Sequence, residues 1–182
     1  EFLISLNDSG QRLDKFLLKA MPDLPKSMMY RLIRKKDIKI NGKRCEISAK
    51  LNEGDVVRVY VKDDVSALKS HDMSFLKAST ELEIIHEDDN IIIVYKPVGV
   101  DSHGNGENTE DTLINRIKLY LYNKNEYRPD EESTFAPALC NRIDRNTAGI
   151  VIAAKNAEAL RVMNEMIRAR EVGKYYLCAV RG

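Results

Sequence analysis

The chain has 182 residues, of which 43% are hydrophobic, and a net charge of +1, so it is long enough to bury one or two cores. It contains no apolar run that could cross a bilayer, and its first residues lack the basic start and apolar stretch of a signal peptide. We therefore expect a soluble, cytoplasmic protein.

The cysteines and histidines exclude the simplest metal and disulfide sites. Three cysteines form no Cys-x-x-Cys pair, and three histidines show no metal-ligand spacing. Reduced thiols and no metal are the expectation for these six residues: Cys45, Cys140, Cys178, His71, His86 and His103.

The near-zero net charge conceals an asymmetry between the two ends of the chain. Residues 1–62 contain 14 Lys and Arg against 8 Asp and Glu, a net charge of +6, so the remainder carries −5. A basic module joined to a mildly acidic one suits a polyanion-binding domain beside a second domain, although a solvated basic face gives the same count.

The basic module begins with two helical patterns and a hairpin. Residues 11–20 and 28–36 place apolar side chains at helical spacing, and Pro22 and Pro25 separate the two. Asn41-Gly42, between residues 38–40 and the basic pair Lys43-Arg44, predicts a tight hairpin, and residues 56–61 predict a closing strand.

This order of elements resembles the S4 RNA-binding domain, with Arg12-Leu-Asp-Lys-Phe-Leu near its start and Ile-Lys-Ile-Asn-Gly-Lys at its hairpin. The resemblance implies contact with structured RNA through phosphate-binding cations on helix ends and the hairpin. The alternative is that these cations only keep the domain soluble. The candidates are Lys26, Arg31, Arg34, Lys35, Lys36 and Lys43.

Residues 63–80 are polar and read as a linker, with a helical portion around residues 65–68. Beyond the linker, residues 84–86 and 91–95 predict an antiparallel hairpin, and residues 112–122 an amphipathic helix followed by a polar loop.

The bend Lys96-Pro97-Val98-Gly99 follows the hairpin and can place the Lys96 ammonium near the end of the sheet. Three glycines between residues 99 and 106 lack the Gly-Lys-Ser or Gly-Lys-Thr ending of a P-loop, so no nucleotide cofactor is expected.

The most informative stretch is residues 139–156. Asp144 lies between Arg142 and Arg145 and is followed by turn-forming residues and an apolar strand, residues 150–154. Neighbouring cations favour the ionised form of a carboxylate, which suits a nucleophile or base rather than a proton donor. From spacing alone, an acid that tightens a turn and pairs with its neighbours is the commoner explanation.

Two further elements close the chain. Residues 157–170 predict a helix with an apolar inner face, and residues 174–182 predict a strand inside a sheet.

Together these segments resemble the RluA-type pseudouridine synthases. The central motif matches at Arg142, Asp144, Thr147, Gly149, Ala154 and Lys155, the bend at Lys96, Pro97 and Gly99, and the last strand at Lys174, Tyr176 and Val180. The chain departs from the family pattern at Asn141, where His is usual, and at Ile143, Asn146 and Ala148.

The resemblance implies a cofactor-free isomerase that converts uridine to pseudouridine in structured RNA, with RNA of the large ribosomal subunit as the expected substrate. It makes Asp144 the catalytic residue, either attacking C1′ or removing a sugar proton. It implies that the target base leaves the stack, that Arg142 fills the vacated space and that Tyr176 packs on the base. Asn141, Arg145 and Thr147 are the remaining candidates for substrate contact.

The implied fold is α+β. It consists of an S4-like domain (residues 1–62), a linker (63–80) and the first part of a mixed, largely antiparallel catalytic domain (81–182). The chain stops before the family's later Thr-Gly-Arg-x-His-Gln-Ile-Arg motif, so we expect an inactive fragment of a longer protein. We expect residues 82–182 alone to self-associate, to be partly unfolded or to be held by a second polypeptide. The competing hypotheses are an S4-type RNA-binding protein with an inactive domain attached, and an S4-linked regulator without RNA chemistry.

Overall fold

The computed structural model describes residues 1–60, 73–104 and 110–181 and has the expected α+β architecture. Two four-stranded sheets carry the fold, each with helices packed on it. The strands are β1 Phe2–Leu3, β2 Ile38–Ile40, β3 Lys43–Arg44, β4 Val56–Val59, β5 Glu83–Glu87, β6 Ile91–Lys96, β7 Ala138–Leu139 and β8 Gly149–Ala154. The helices are α1 Leu13–Ala20, α2 Lys26–Lys35, α3 Leu113–Asn123 and α4 Ala157–Arg168. No helix in the described ranges is long and apolar enough to span a membrane.

The N-terminal module, residues 1–60, packs α1 and α2 against one face of the sheet ordered β1-β4-β2-β3. Its core is fully enclosed: Phe16 and Leu17 of α1 meet Met29 of α2 and Val57 of β4. Burial of each such side chain contributes roughly 1.5–3 kcal/mol. This short segment therefore holds a complete hydrophobic core.

The predicted hairpin is confirmed in detail. Asn41 and Gly42 have φ values of 51° and 74°, the two positive values that a type I′ turn needs between β2 and β3. Both predicted helices are present within two residues of their expected ends. The closing strand ends at Val59, and residue 61 of the predicted strand lies outside the described residues.

The C-terminal module, residues 73–104 and 110–181, is built on the sheet ordered β5-β6-β8-β7, with all neighbours antiparallel. β6 is an inner strand that buries Ile92, Val94 and Lys96 on alternate positions. α3 packs beneath it through Leu113 and Ile117, as predicted. Thr112 caps this helix by accepting a hydrogen bond from the Asn115 N–H.

The linker prediction for residues 63–80 is wrong over its second part. Ser74–Lys77 form a short 3-10 helix, and Phe75 is buried in the second core against Tyr122 and Tyr127. The single aromatic residue of this polar segment thus belongs to the C-terminal module. The predicted helical portion around residues 65–68 lies outside the described residues.

The predicted last strand is also wrong. Residues 174–181 have no regular secondary structure, and Tyr175 and Leu177 are almost entirely exposed. The alternating pattern is there, but no described strand pairs with it. α4 ends at Arg168 rather than residue 170, and Ala159 is its only fully buried residue, so its apolar face is only half covered.

The two modules touch at the start of the chain. The Asn7 side-chain amide donates to Glu132 Oε1 at 2.7 Å, and the Asn7 side-chain oxygen accepts from the Ala157 N–H at 3.0 Å. Thr134 adds hydrogen bonds to Asp8 and Gln11. Burial, with the Asn7 bond opposing it, raises the pKa of Glu132. A cavity of about 430 Å³ lies beside these contacts.

Candidate functional site

The candidate acid lies on a tight turn at the start of β8. The Thr147 N–H donates to the Asp144 backbone carbonyl at 3.0 Å, which closes the turn of residues 144–147. Asp144 itself is exposed, and β8 begins at Gly149, two residues after the turn. The structure thus has the predicted turn and strand, and it presents the Asp144 carboxylate to solvent near the end of an inner strand.

Lys96, the last residue of β6, supports this turn from below. Its side chain is completely buried, and its ammonium donates to the carbonyls of Pro97, Val100 and Arg145 at 3.0, 2.8 and 3.2 Å. These three bonds use all three N–H groups of a protonated lysine. The ammonium therefore fastens the Lys96 bend to the turn that carries Asp144.

The electrostatics of Lys96 link it to the candidate acid. Burial lowers its pKa, while the negative charges of Asp101 and Asp144 act in the opposite direction. Burying an ammonium without an adjoining carboxylate has a large desolvation cost. The three hydrogen-bonded carbonyls and the charges of these two acids offset that cost for Lys96. The sequence predicted an ammonium near the sheet end but not its burial.

A second set of contacts ties the same two loops together. The Gly99 N–H donates to the Arg145 carbonyl at 2.9 Å, and the Ser102 hydroxyl donates to the Ile143 carbonyl at 2.7 Å. Gly99 has a φ of 90°, a conformation that favours glycine. The backbone on both sides of Asp144 is thus held in place by the segment after Lys96.

The expected bracket of two guanidiniums around Asp144 is not observed. Arg145 turns its guanidinium to Asp101, with Nη1 and Oδ2 3.6 Å apart. Within the part of the chain that the structure describes, neither Arg142 nor Arg145 forms a salt bridge with Asp144. Sequence neighbours on a turn point in different directions, and the positive charge beneath the turn comes instead from Lys96.

Asn141, at the position where the family usually has His, extends the sheet. Its side-chain oxygen accepts from the Ile152 N–H at 2.8 Å, and its amide donates to the Ile150 carbonyl at 3.2 Å. These are the backbone groups that a further residue of β7 would have used. Asn141 therefore positions the chain that leads into Arg142.

Several predicted residues meet around one cavity. Arg142, Asn141 and Thr147 line a space of about 510 Å³ with the segment 172–177, which includes Tyr176. Tyr176 is 69% exposed and lies on irregular chain rather than on the predicted strand. The structure thus brings Arg142 and Tyr176 to one cavity, which Ile143 also lines, whereas Asp144 is not among the described residues that line it.

The sequence interpretation missed three residues near the site: Asp101, Ser102 and His103. Partial burial, followed by the positive charges of Lys118 and Arg142, lowers the pKa of His103. The His103 ring therefore lies within the electrostatic influence of Arg142. The sequence feature that could have identified these three residues is their position directly after the Lys-Pro-x-Gly bend, because this bend returns the chain to the end of the sheet.

The predicted RNA-binding cations are all exposed on the N-terminal module, and most of them lie on one helix. Five of them lie on α2 or its C-cap, where Lys36 adopts a left-handed conformation with φ 66°, and the sixth begins β3. None forms a salt bridge with another described residue. This α2 surface consists of Lys26, Arg31, Arg34, Lys35, Lys36 and Lys43, all exposed.

Comparison with known proteins agrees with these motifs. Residues 11–57 match the S4 domain, and residues 90–182, just over half of the chain, match the family described as RNA pseudouridylate synthase. The chain belongs to the RNA pseudouridylate synthase family. Both resemblances found in the sequence are thereby confirmed.

Relatives of this RNA pseudouridylate synthase family member span both modules. The ribosomal large subunit pseudouridine synthase C of Haemophilus influenzae is 37% identical over 98% of this chain and 53% of its own length. The protein of the same name from Escherichia coli is 34% identical over 98% and 53%. The chain thus spans about half the length of the curated relatives it matches.

Solved structures give a weaker similarity. The human RNA pseudouridylate synthase domain containing 4 is 22% identical, with a TM-score of 0.36, over 49% of this chain and 30% of its own.

Proposed function

We propose that this chain is part of an enzyme that converts uridines to pseudouridines in structured ribosomal RNA, with Asp144 as the catalytic residue. The observation that carries the proposal is the Asp144 turn, which Lys96 and the Lys-Pro-x-Gly bend hold near the ends of the inner strands β6 and β8. Support for ribosomal RNA comes from relatives whose names specify the large ribosomal subunit. The proposal needs no cofactor.

The reaction is an isomerisation, so its atoms balance without a co-reactant. The bond between N1 of uracil and C1′ of the ribose breaks, the base rotates, and C5 bonds to C1′. C5 then loses its proton, and N1 ends the reaction carrying one. Asp144 begins this sequence either by attacking C1′ or by removing a sugar proton, and its exposed position on a fixed turn suits both roles.

Surrounding residues are assigned to binding and positioning. Arg142 and Tyr176, which line one cavity, are proposed to occupy the vacated stack and to pack on the extruded base. Thr147 and Arg145 hold the turn, and Asn141 fixes the approach to Arg142. The α2 surface supplies phosphate contacts, which position the RNA without reading its sequence.

The decisive experiment replaces the acid in the full-length protein. Asp144→Asn is expected to lower pseudouridine formation by at least about a thousandfold, because one carboxylate carries the chemistry. RNA affinity should stay within a few-fold, because many cations share the binding. Chemical mapping of pseudouridine on ribosomal RNA measures the first quantity, and a filter-binding titration measures the second.

A matched control is Asp89→Asn, which removes an exposed carboxylate on the turn between β5 and β6. It should leave the rate unchanged. A rate near wild type for Asp144→Asn would refute the assignment of Asp144. A wild-type protein that binds RNA but never modifies it would favour the alternative of an inactive binding module.

Self-association of the 182-residue chain is a further part of the proposal. Tyr175, Leu177 and Val180 are 94%, 104% and 83% exposed on the segment that follows α4. Contiguous exposed apolar side chains favour association. Sedimentation velocity should show dimers or larger species at micromolar concentration, and Leu177→Asp should shift the distribution toward monomer. A chain that sediments as monomer throughout would contradict this.

A further inference from the structure

The sheet of the N-terminal module has an outer face that the α2 surface does not include. Directly paired residues of neighbouring strands share a face of a sheet. Lys39 of β2 pairs with Arg44 of β3 on one side and with Arg58 of β4 on the other. These three residues form a cationic row across three strands, on the face opposite the core residues Ile38 and Val57.

Such a row is unfavourable for the isolated sheet. Like charges directly opposite each other on adjacent strands destabilise the pairing. Only Arg58 is compensated, by Glu1 at 2.9 Å, and neither Lys39 nor Arg44 has a salt bridge to another described residue. Solubility alone is served by interspersed charges of both signs, so it does not account for three aligned cations.

An exposed aromatic side chain lies beside this row. Tyr60 directly follows β4 and is 51% exposed, and the Lys39 ammonium is 5.1 Å from the centre of its ring. Its N–H donates to the Asp37 carbonyl at 2.8 Å, which fixes the backbone at this point. Glu1 first, and Tyr60 to a smaller extent, raise the pKa of Arg58, so the phenol also lies near that guanidinium.

A fixed aromatic ring between cations is the arrangement that binds unpaired nucleotides. Bases stack on the ring regardless of their identity, while the cations meet the phosphates on either side. A duplex offers no free base face to such a ring, and an acidic protein segment would use the cations but not the ring. The chemistry of the outer face therefore favours a single-stranded segment of RNA.

We propose that the outer face, formed by Arg44, Lys39, Arg58 and Tyr60, is a second RNA-contact surface that binds an unpaired segment flanking the structured target. Tyr60 stacks on one base, and Lys39 and Arg44 bind the adjoining phosphates. Five of the six cations of the α2 surface lie on α2 or its C-cap, on the other side of the core, so in this proposal the N-terminal module meets RNA on two sides. This proposal rests on the proposed function, which makes RNA the substrate.

The test uses the 182-residue chain with two RNA probes. One is an unstructured oligonucleotide of about twelve nucleotides, a length that a single small domain covers. The other is a blunt-ended RNA hairpin with a closed, stable loop. Affinity is measured over a range of salt concentrations for the wild type and for the double variant Lys39→Gln/Arg44→Gln, whose thermal unfolding is recorded to confirm folding.

For the single-stranded probe, losing two phosphate contacts should reduce the slope of log affinity against log salt by about 1.4. Tyr60→Ala should weaken binding roughly tenfold, and Tyr60→Phe should stay within about twofold, because stacking needs the ring and not the hydroxyl. Lys50→Gln, an exposed cation of the same module outside the row, is the matched control and should change neither quantity.

A second measurement, tryptophan fluorescence, does not depend on variants that weaken binding. The chain contains no Trp, so Tyr60→Trp introduces a single tryptophan, whose emission can be excited selectively over that of the tyrosines, and stacking of a base should quench it. Unchanged fluorescence on saturation with the single-stranded probe would overturn the proposal. So would an unchanged salt slope in the double variant, or equal losses for Tyr60→Ala and Tyr60→Phe.

The outcomes separate this proposal from the proposed function. If the wild type binds the hairpin but not the single strand, the outer face is not an RNA surface and the proposed function stands. If it binds neither probe, the RNA premise itself fails. A competition experiment adds poly-glutamate to the complexes of the single strand with the wild type and with Tyr60→Ala. If poly-glutamate displaces the single strand equally well from both, the outer face is a general polyanion contact and the assigned partner is wrong.

Discussion

The cations of the α2 surface and three cations of the C-terminal module, Lys124, Lys155 and Arg116, are used in opposite ways. On the α2 surface of the N-terminal module, six cations face solvent without a salt bridge to a described residue. In the C-terminal module, Lys124 and Lys155 both bond to Glu87 and Glu126, and Arg116 donates to Asp111 from both Nε and Nη2.

This difference separates charge that is available to a ligand from charge that holds the fold. Exposed, unpaired cations contribute little to stability but lower the free energy of a bound polyanion, since each phosphate contact releases counterions. Partly buried, paired cations contribute to stability and are not available to a ligand. The net charge of each module does not reveal this distinction, but the pairing does.

The largest effect should come from reversing charge on the α2 surface. Lys35→Glu/Lys36→Glu is expected to weaken binding of structured RNA by the 182-residue chain on the order of a hundredfold, equally for all sequences. Stability should change by less than about 0.5 kcal/mol, because both side chains are exposed. Salt-dependent titrations and thermal unfolding measure the two quantities.

The control is the charge-conserving variant Lys35→Arg/Lys36→Arg. It keeps both positive charges and should bind RNA within about twofold of wild type. An affinity that does not depend on salt, or that survives the charge reversal, would show that the surface only solubilises the module.

The C-terminal module should respond in the opposite way. Lys155→Met removes one of the two cations that Glu87 and Glu126 share, and the Lys155 and Glu87 side chains are only 10% and 15% exposed. We expect a loss of about 2 kcal/mol in unfolding free energy, below the range for a fully buried pair because Lys124 still compensates both acids. RNA affinity should stay within twofold.

Lys77→Gln is the comparison for this variant, because it breaks an exposed ion pair with Glu110 in the same module. Its cost should be below about 0.5 kcal/mol. Equal losses for the two variants would mean that burial does not decide the strength of these pairs.

The smallest expected effect is a pH dependence centred on Glu87. Burial acts to raise its pKa, but hydrogen bonds from Lys124, Lys155 and Tyr120 outweigh it and lower the pKa to about 2. A carboxyl with a lowered folded-state pKa stabilises the protein above its unfolded value of 4.5, and this contribution is lost as pH falls toward 2.

After allowance for solvent screening, the contribution is on the order of 1 kcal/mol. Glu87→Gln should therefore flatten the stability profile between pH 4.5 and 2, which urea unfolding at several pH values measures. A variant profile parallel to wild type in that window would contradict the assignment to Glu87.

Local elements were well predicted from the sequence. The β2–β3 hairpin followed from Asn41-Gly42 and α3 from helical spacing, since both signals lie within a few residues of each other. The S4 and synthase resemblances likewise depend on contiguous motifs. What was missed depends on contacts between distant residues.

Lys96 and residues 174–181 show why such long-range features could not be predicted from the sequence. Burial of Lys96 needs a carbonyl of Arg145, 49 residues further on, and no local pattern contains that contact. The alternation after residue 174 describes which side each residue would take, but a strand also needs a partner, and no described strand supplies one. Similarly, Phe75 looked like part of a linker because its neighbours in space come from α3 and the loop that follows it.

The Asn7 bond to the Ala157 N–H gives the molecule a built-in reporter. An amide in the first turn of a helix has no partner within its own helix, and here the partner is supplied by the other module. Hydrogen–deuterium exchange at this one amide therefore follows the separation of the two modules rather than the unraveling of α4. If RNA draws the modules apart, the Ala157 amide will exchange faster while the Ala159 amide, bonded to Asn156 of its own helix, keeps its rate.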